Sequence, residues 1–177
     1  RRRGGYIEAL SREWQPLGDM RLSEKDANVA KTMNTHLHII EPYTNLLRVW
    51  PNEELREATV SLLRLFIDRF VASGQRGHLG LFFDEDWTRT DGIISYGHDI
   101  EASWLMLETA QVLGDEQLLA ETLGVTYRIA QAALEGRCCD GSMVYERHAG
   151  GSYDNDKHWW VQAENVVGEI YLYLFHN

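Results

Sequence analysis

Two of the 177 residues are cysteine, and these two, Cys138 and Cys139, are neighbours in the chain. A disulfide between neighbours is strained, no spaced set of thiolates is left to bind a metal, and a reducing cytoplasm is the compartment that suits such a chain. No run approaches the roughly 18 consecutive apolar residues of a membrane-spanning helix. No charged start followed by an apolar stretch marks a signal peptide. Basic runs are lacking too: 17 Lys and Arg stand against 27 Asp and Glu, a net charge of -10. That argues against nucleic acid as a partner, because its phosphates call for clustered cations. Three N-terminal arginines are too few to alter the balance. No glycine-rich nucleotide loop occurs, and no linker or second composition zone divides the chain.

What is present is the balance of a soluble globular domain, with 44% hydrophobic and 25% charged residues. The length suffices for one domain with a sizeable core, and we read residues 1–177 as a single, partial domain. It opens at Arg1 without methionine and stops just after the apolar run Ile170 to Phe175, which predicts an internal fragment. Gly5 to Leu17 reads as an extended hairpin. Ser23, with Asp26 three residues on, resembles a capped helix start opening a long amphipathic run to Trp50. A second helix begins at Pro51-Asn52-Glu53-Glu54, with proline at an allowed first-turn position. It carries Val60, Leu63, Phe66, Ile67 and Phe70 at helical spacing. Gly77 to Trp87 reads as extended and ends in the turn Thr90-Asp91-Gly92. Three further helices are expected, at about His98 to Leu113, Glu116 to Leu134 and Asp156 to Phe175.

The short link Gly114-Asp115 makes its neighbours an antiparallel hairpin. Paired helices joined alternately by tight turns and longer polar loops predict an all-α fold of hairpins stacked about an axis, with short β segments in the loops. The long loops then gather at one end and carry the site.

Three segments hold the chemistry. In Ser95-Tyr96-Gly97-His98-Asp99-Ile100-Glu101-Ala102-Ser103-Trp104, His98 and Glu101 lie three apart at a helix start and so share a face. Glu101 is expected to orient the imidazole and favour its protonated form, as suits a general base, although acids that merely cap the helix are an open alternative. In Met33 to Glu41, helical spacing puts Asn34, His38 and Glu41 on one face, while His36 points about 200° away from His38. The two histidines are therefore not expected to share a metal. His36 reads as a core histidine, and His38 has that alternative too. In Asp156 to Glu164, the adjacent Trp159 and Trp160 stand at a loop–helix junction, where flat aromatic faces make platforms for sugar rings. Trp87, with Phe82 and Phe83, is a further candidate cleft wall, or core.

These segments, together with Phe82-Phe83-Asp84-Glu85-Asp86-Trp87, resemble the corresponding motifs of cellobiose 2-epimerases, in the N-acylglucosamine 2-epimerase superfamily. The similarity runs from Gly5 onward. It implies part of an (α/α)6 barrel and a cofactor-independent, metal-free inversion at C2 of the reducing-end sugar of cellobiose, lactose or related β-1,4 disaccharides. By the match of motifs, His98 is a C2 acid/base, Glu101 its partner, and His38 the residue assisting ring opening and proton traffic at the carbonyl. Asn34 and Asp26 contact sugar hydroxyls, and Trp160, with Trp159, stacks on the disaccharide. The family's further catalytic histidine, in a Cys-Pro-Tyr-His-like motif, and a substrate-contacting arginine have no counterpart here. Hence the 177 residues alone are expected to be inactive. Pro42, where relatives tend to have alanine, is expected to kink its helix.

The chemistry suits these residue types. Inversion at C2 removes a weakly acidic proton beside the aldehyde and returns it on the opposite face, which takes acid/bases near neutrality and a stabiliser for the enediolate oxygen. Alternatives are a mannose isomerase or N-acylglucosamine 2-epimerase sharing the enediol step, a glycoside hydrolase using Asp84 and Glu101, or a non-catalytic sugar-binding fragment. The oligomeric state is open.

Overall fold

Thr32, Asn52 and Asp115 start three helices in the same way. Each side chain accepts the amide hydrogen three residues on, from Thr35, Leu55 and Leu118, and so satisfies a donor that the first helical turn leaves without a partner. The computed structural model describes residues 4–21, 24 and 27–176. Its helices are α1 (Met33–Val49), α2 (Glu53–Leu65), α3 (Tyr96–Leu113), α4 (Glu116–Ala133) and α5 (Trp159–Phe175). α2 widens at its end into a π-helix, Phe66–Val71, whose Phe66 and Phe70 are fully buried. Among the described residues a short 3-10 helix, Leu134–Gly136, follows α4, and there are two small antiparallel sheets. One pairs β1 (Lys31–Thr32) with β2 (Phe82–Phe83), and the other orders β3 (Ile94–Ser95), β4 (Glu146–Arg147) and β5 (Tyr153–Asp154).

Three boundaries differ from the sequence reading. α1 begins at Met33 rather than Ser23, because Lys31 and Thr32 are committed to pairing with Phe83 and Phe82. Ser23 and Asp26 lie outside the described residues. Glu8 reinforces the helix start from the N-terminal segment, its carboxylate accepting from Thr32 N–H, Thr32 Oγ1 and Thr35 Oγ1. That segment is hairpin-like through a bridge between Leu10 and Pro16. Gly77 to Trp87 is a strand only at Phe82–Phe83. Asp84 Oδ1 accepts the amides of Asp86 and Thr88 and turns the chain back. α5 starts at Trp159, after an N-cap at His158. α1 runs on through Pro42, whose missing N–H leaves the His38 carbonyl without its helical donor.

Cross-contacts fix the directions. Asn34 meets His98 near the starts of α1 and α3, and Thr44 meets Thr109 at 2.8 Å near their ends. His98 lies on Trp160 and, further along, Trp104 on Tyr171, so α3 and α5 match start to start as well. α1, α3 and α5 thus form a parallel row. α2 runs against it, early Arg56 donating to the carbonyl of late Leu113 at 2.6 Å. The larger core, with Leu37, Ile40, Leu63, Phe70, Met106 and Ile129, fills the space between the row and the α2 and α4 layer. All three starts of the row are preceded by loop and strand segments at one end of the molecule.

Candidate active site

Helical spacing in the row brings three sets of side chains to one wall: Asn34, His38 and Glu41 from α1, His98, Glu101 and Trp104 from α3, and Trp160 and Glu164 from α5. His98 is the junction of the three. Its Nδ1 lies 2.8 Å from Ser95 Oγ and its Nε2 lies 3.2 Å from Asn34 Oδ1, while the ring packs on Trp160 at 4.9 Å between centroids. Burial, with the nearby His38 adding to it, holds the imidazole down at about 4. It is therefore neutral at physiological pH. This corrects the expectation that Glu101 orients His98 and favours its charged form. Ser95 and Asn34 hold the ring, and the wall around it is too dry to favour the cation.

Glu101 has different neighbours. It is 7% exposed, and burial together with the carboxylates of Glu164 and Glu41 pushes it up to about 8, so it carries its proton at neutral pH. Glu164 is raised as well, chiefly by burial, and accepts the Trp104 indole N–H at 2.8 Å. Glu41 lies 3.6 Å from His38 Nδ1. The wall thus sets a neutral imidazole beside a protonated carboxyl, two groups that burial pushes in opposite directions.

The tryptophans divide. Trp160 is half-buried between His98 and Tyr145, and Trp159 is 81% exposed. Trp87 is 7% exposed and packs edge-on against Phe70 and Phe83. It is a core residue and not a cleft wall, because the turn at Asp84 folds it inward with φ at 68°. Asp84 itself is committed to that turn, which removes it from a carboxylate pair with Glu101. His36 is buried, accepting Tyr6 N–H on Nε2 and donating from Nδ1 to the Thr32 carbonyl, the core role its spacing predicts. Among the described residues, Asp154, Asp156 and His158 bring possible metal ligands within 4.8 Å of one another, in a largely exposed loop. Asp154 Oδ1 there already accepts the Asp156 amide.

Sequence reasoning missed two groups. Ser95, three residues before His98, has a spacing that put it within reach of the ring. The buried pair of His78 and Asp99, at 2.7 Å, joins residues far apart in sequence, and no local pattern announces it.

The chain matches the family model described as N-acylglucosamine 2-epimerase (GlcNAc 2-epimerase) over residues 6–174. It is 54% identical to a cellobiose 2-epimerase of Bacteroides fragilis over 174 residues, covering 98% of this chain and 44% of that protein. Among solved structures it is similar to the cellobiose 2-epimerase of Spirochaeta thermophila, at 39% identity and a TM-score of 0.85 over 99% of this chain and 44% of the other. It is similar also to a sugar epimerase from a ruminal bacterium, at 37% identity and a TM-score of 0.88, covering 96% and 43%. The chain spans somewhat less than half the length of these relatives. Its row of parallel helices with an antiparallel outer layer is part of an (α/α)6 barrel.

Proposed function

Since the chain belongs to the N-acylglucosamine 2-epimerase family, we propose that the protein is a carbohydrate epimerase inverting C2 of the reducing-end sugar of β-1,4-linked disaccharides such as cellobiose and lactose. The observation that carries this reading is the neutral His98, its two ring nitrogens held by Ser95 and Asn34 and its face against Trp160. The likeness to cellobiose 2-epimerases over almost the whole chain supports it.

The reaction opens the hemiacetal, removes the C2 proton to give an enediol, and returns a proton to the other face. An Asn34 Oδ1 acceptor calls for a proton on His98 Nε2, leaving Nδ1 to accept from the Ser95 hydroxyl. A hydroxyl donates or accepts with equal ease, so its rotation allows the other tautomer. His98 then presents a lone pair at Nε2 when substrate displaces Asn34. Held so, the ring takes the C2 proton from one face as base and, in the reverse direction, gives one back to that face as acid. The proton on the opposite face calls for a second acid/base, the role the resemblance gives to the family's further histidine. His38, exposed above Glu41, assists proton traffic at O1 and O5. Protonated Glu101 supplies a neutral donor toward the enediolate oxygen, worth more in this water-poor setting than in bulk solvent. Asn34 and Asp26 contact sugar hydroxyls, Trp160 forms the sugar platform, and exposed Trp159 extends it toward the second ring.

The test is to incubate the longer protein containing this chain with cellobiose and separate the products. The expected product is 4-O-β-glucosyl-mannose at unchanged disaccharide mass. Free glucose would instead mean hydrolysis and overturn the reading.

A further inference from the structure

Residues 77–81 follow the π-helix through a tight reversal at Gly74, where any Cβ would lie 1.6 Å from the His78 carbonyl oxygen. His78 is 1% exposed, as is Asp99. His78 Nδ1 lies 2.7 Å from Asp99 Oδ2, and Asp99 Oδ1 accepts Leu79 N–H at 2.9 Å. Both oxygens of this buried carboxylate are thus spent on one short segment. Two residues further on, the Leu81 carbonyl accepts Met33 N–H at 2.8 Å. The segment is therefore tied to the first turn of α3 at one end and to the first residue of α1 at the other. Those helix starts carry His98 and Asn34, whose side chains meet at 3.2 Å.

We propose that His78 is a positioning residue for the epimerisation read from this site: through Asp99 it sets the spacing of the α1 and α3 starts and so keeps His98 in register with Asn34 and Ser95. A contact of this kind fails within a shift of about 1 Å, and misplacement on that scale costs about 100-fold in rate. The electrostatics agree with a firm tie. Burial opposes charge on His78, but Asp99, and Glu135 at 3.4 Å from Nε2, outweigh it and raise the imidazole above its usual value. Tyr96 closes the remaining side with its ring edge-on at 5.8 Å.

Asparagine places its amide nitrogen where Nδ1 was and glutamine where Nε2 was, so His78→Asn keeps the bond to Asp99 and His78→Gln loses it. In the longer protein, carbethoxylation of His98 by diethyl pyrocarbonate, resolved by peptide mass spectrometry, reads the ring's confinement without reference to turnover. His78→Asn is expected to label at about the wild-type rate, and His78→Gln several-fold faster. On cellobiose, His78→Gln is expected to lose about 10- to 100-fold in kcat with little change in KM, and Asp99→Asn to resemble it. Equal labelling and equal kcat in the two folded His78 variants would overturn the proposal. So would loss of the fold in both, which would make His78 a residue of stability alone. A wild-type protein that does not epimerise cellobiose would sink the epimerase reading and leave the labelling comparison standing as the test of position.

Discussion

At the scale of single residues, burial decides protonation more than sequence spacing does. Glu101 and His98 sit three apart, and that spacing predicts a pair, yet the structure turns each toward other neighbours and moves the two in opposite directions. Glu101 is held at about 8 and His98 at about 4. For Glu101 the folded state binds more protons than the unfolded chain between about 4.5 and 8, so its contribution favours folding at low pH and is lost as pH rises through about 8. His98 and His36, both lowered to about 4, act in the opposite sense, withdrawing stability as pH falls below about 6.5. Replacement of Glu101 by glutamine removes only the first of these slopes. Urea midpoints are therefore expected to favour Glu101→Gln increasingly over wild type from pH 6 to pH 9. A difference that stays constant with pH would contradict a buried, protonated Glu101. Spacing did make legible the faces that carry Asn34, His38 and Glu41 and that carry His98 and Glu101, and it set His36 apart as a core residue. Ring contacts and shared protons between helices come from packing, and no single helix encodes them.

At the scale of elements, the helices were legible and their starts less so. The pattern of α3 and α4 and the tight link at Gly114 appear nearly as the periodicity predicts. α1 does not start at Ser23 because its preceding residues pair with β2 some fifty positions away, a tertiary demand that overrides a plausible local cap. The fit of α5 on α3 turns on Gly168, where an added Cβ would meet Ile100 Cγ1 at 2.3 Å and the Ile100 carbonyl oxygen at 3.3 Å. Substitution by alanine is expected to destabilise the protein by about 1–3 kcal/mol, the usual cost of overpacking, and to loosen Trp160 on His98. Chemical denaturation measures the first effect and the accessibility of His98 the second. Unaltered stability would mean that the two helices are not in the contact described.

For the molecule as a whole, the parallel row α1, α3 and α5 is what turns separate helix faces into one wall. Hairpins of this kind alternate inner and outer helices, so every second helix start arrives at the same end with its loop, and the residues of chemical interest accumulate there. That arrangement was legible from the alternation of short links and long polar loops. The His78 to Leu81 segment that ties two of the starts together was not. The outer flank of α5 exposes Val166, Ile170, Tyr173 and Leu174, and no helix of the described residues is long and apolar enough to cross a membrane.

The proposed role of His98 at C2 is tested most directly by solvent exchange, which reads the proton-transfer step itself. The longer protein is incubated with cellobiose in deuterated water and the recovered glucosyl-mannose and cellobiose are analysed by NMR for deuterium at C2. Epimerisation through an enediol with His98 as acid/base places solvent deuterium at C2, and His98→Ala lowers both the exchange and the epimerisation by about two to four orders of magnitude in a protein that remains folded. Exchange at C2 that proceeds at the wild-type rate in His98→Ala, or product formed with no deuterium at C2, would contradict it.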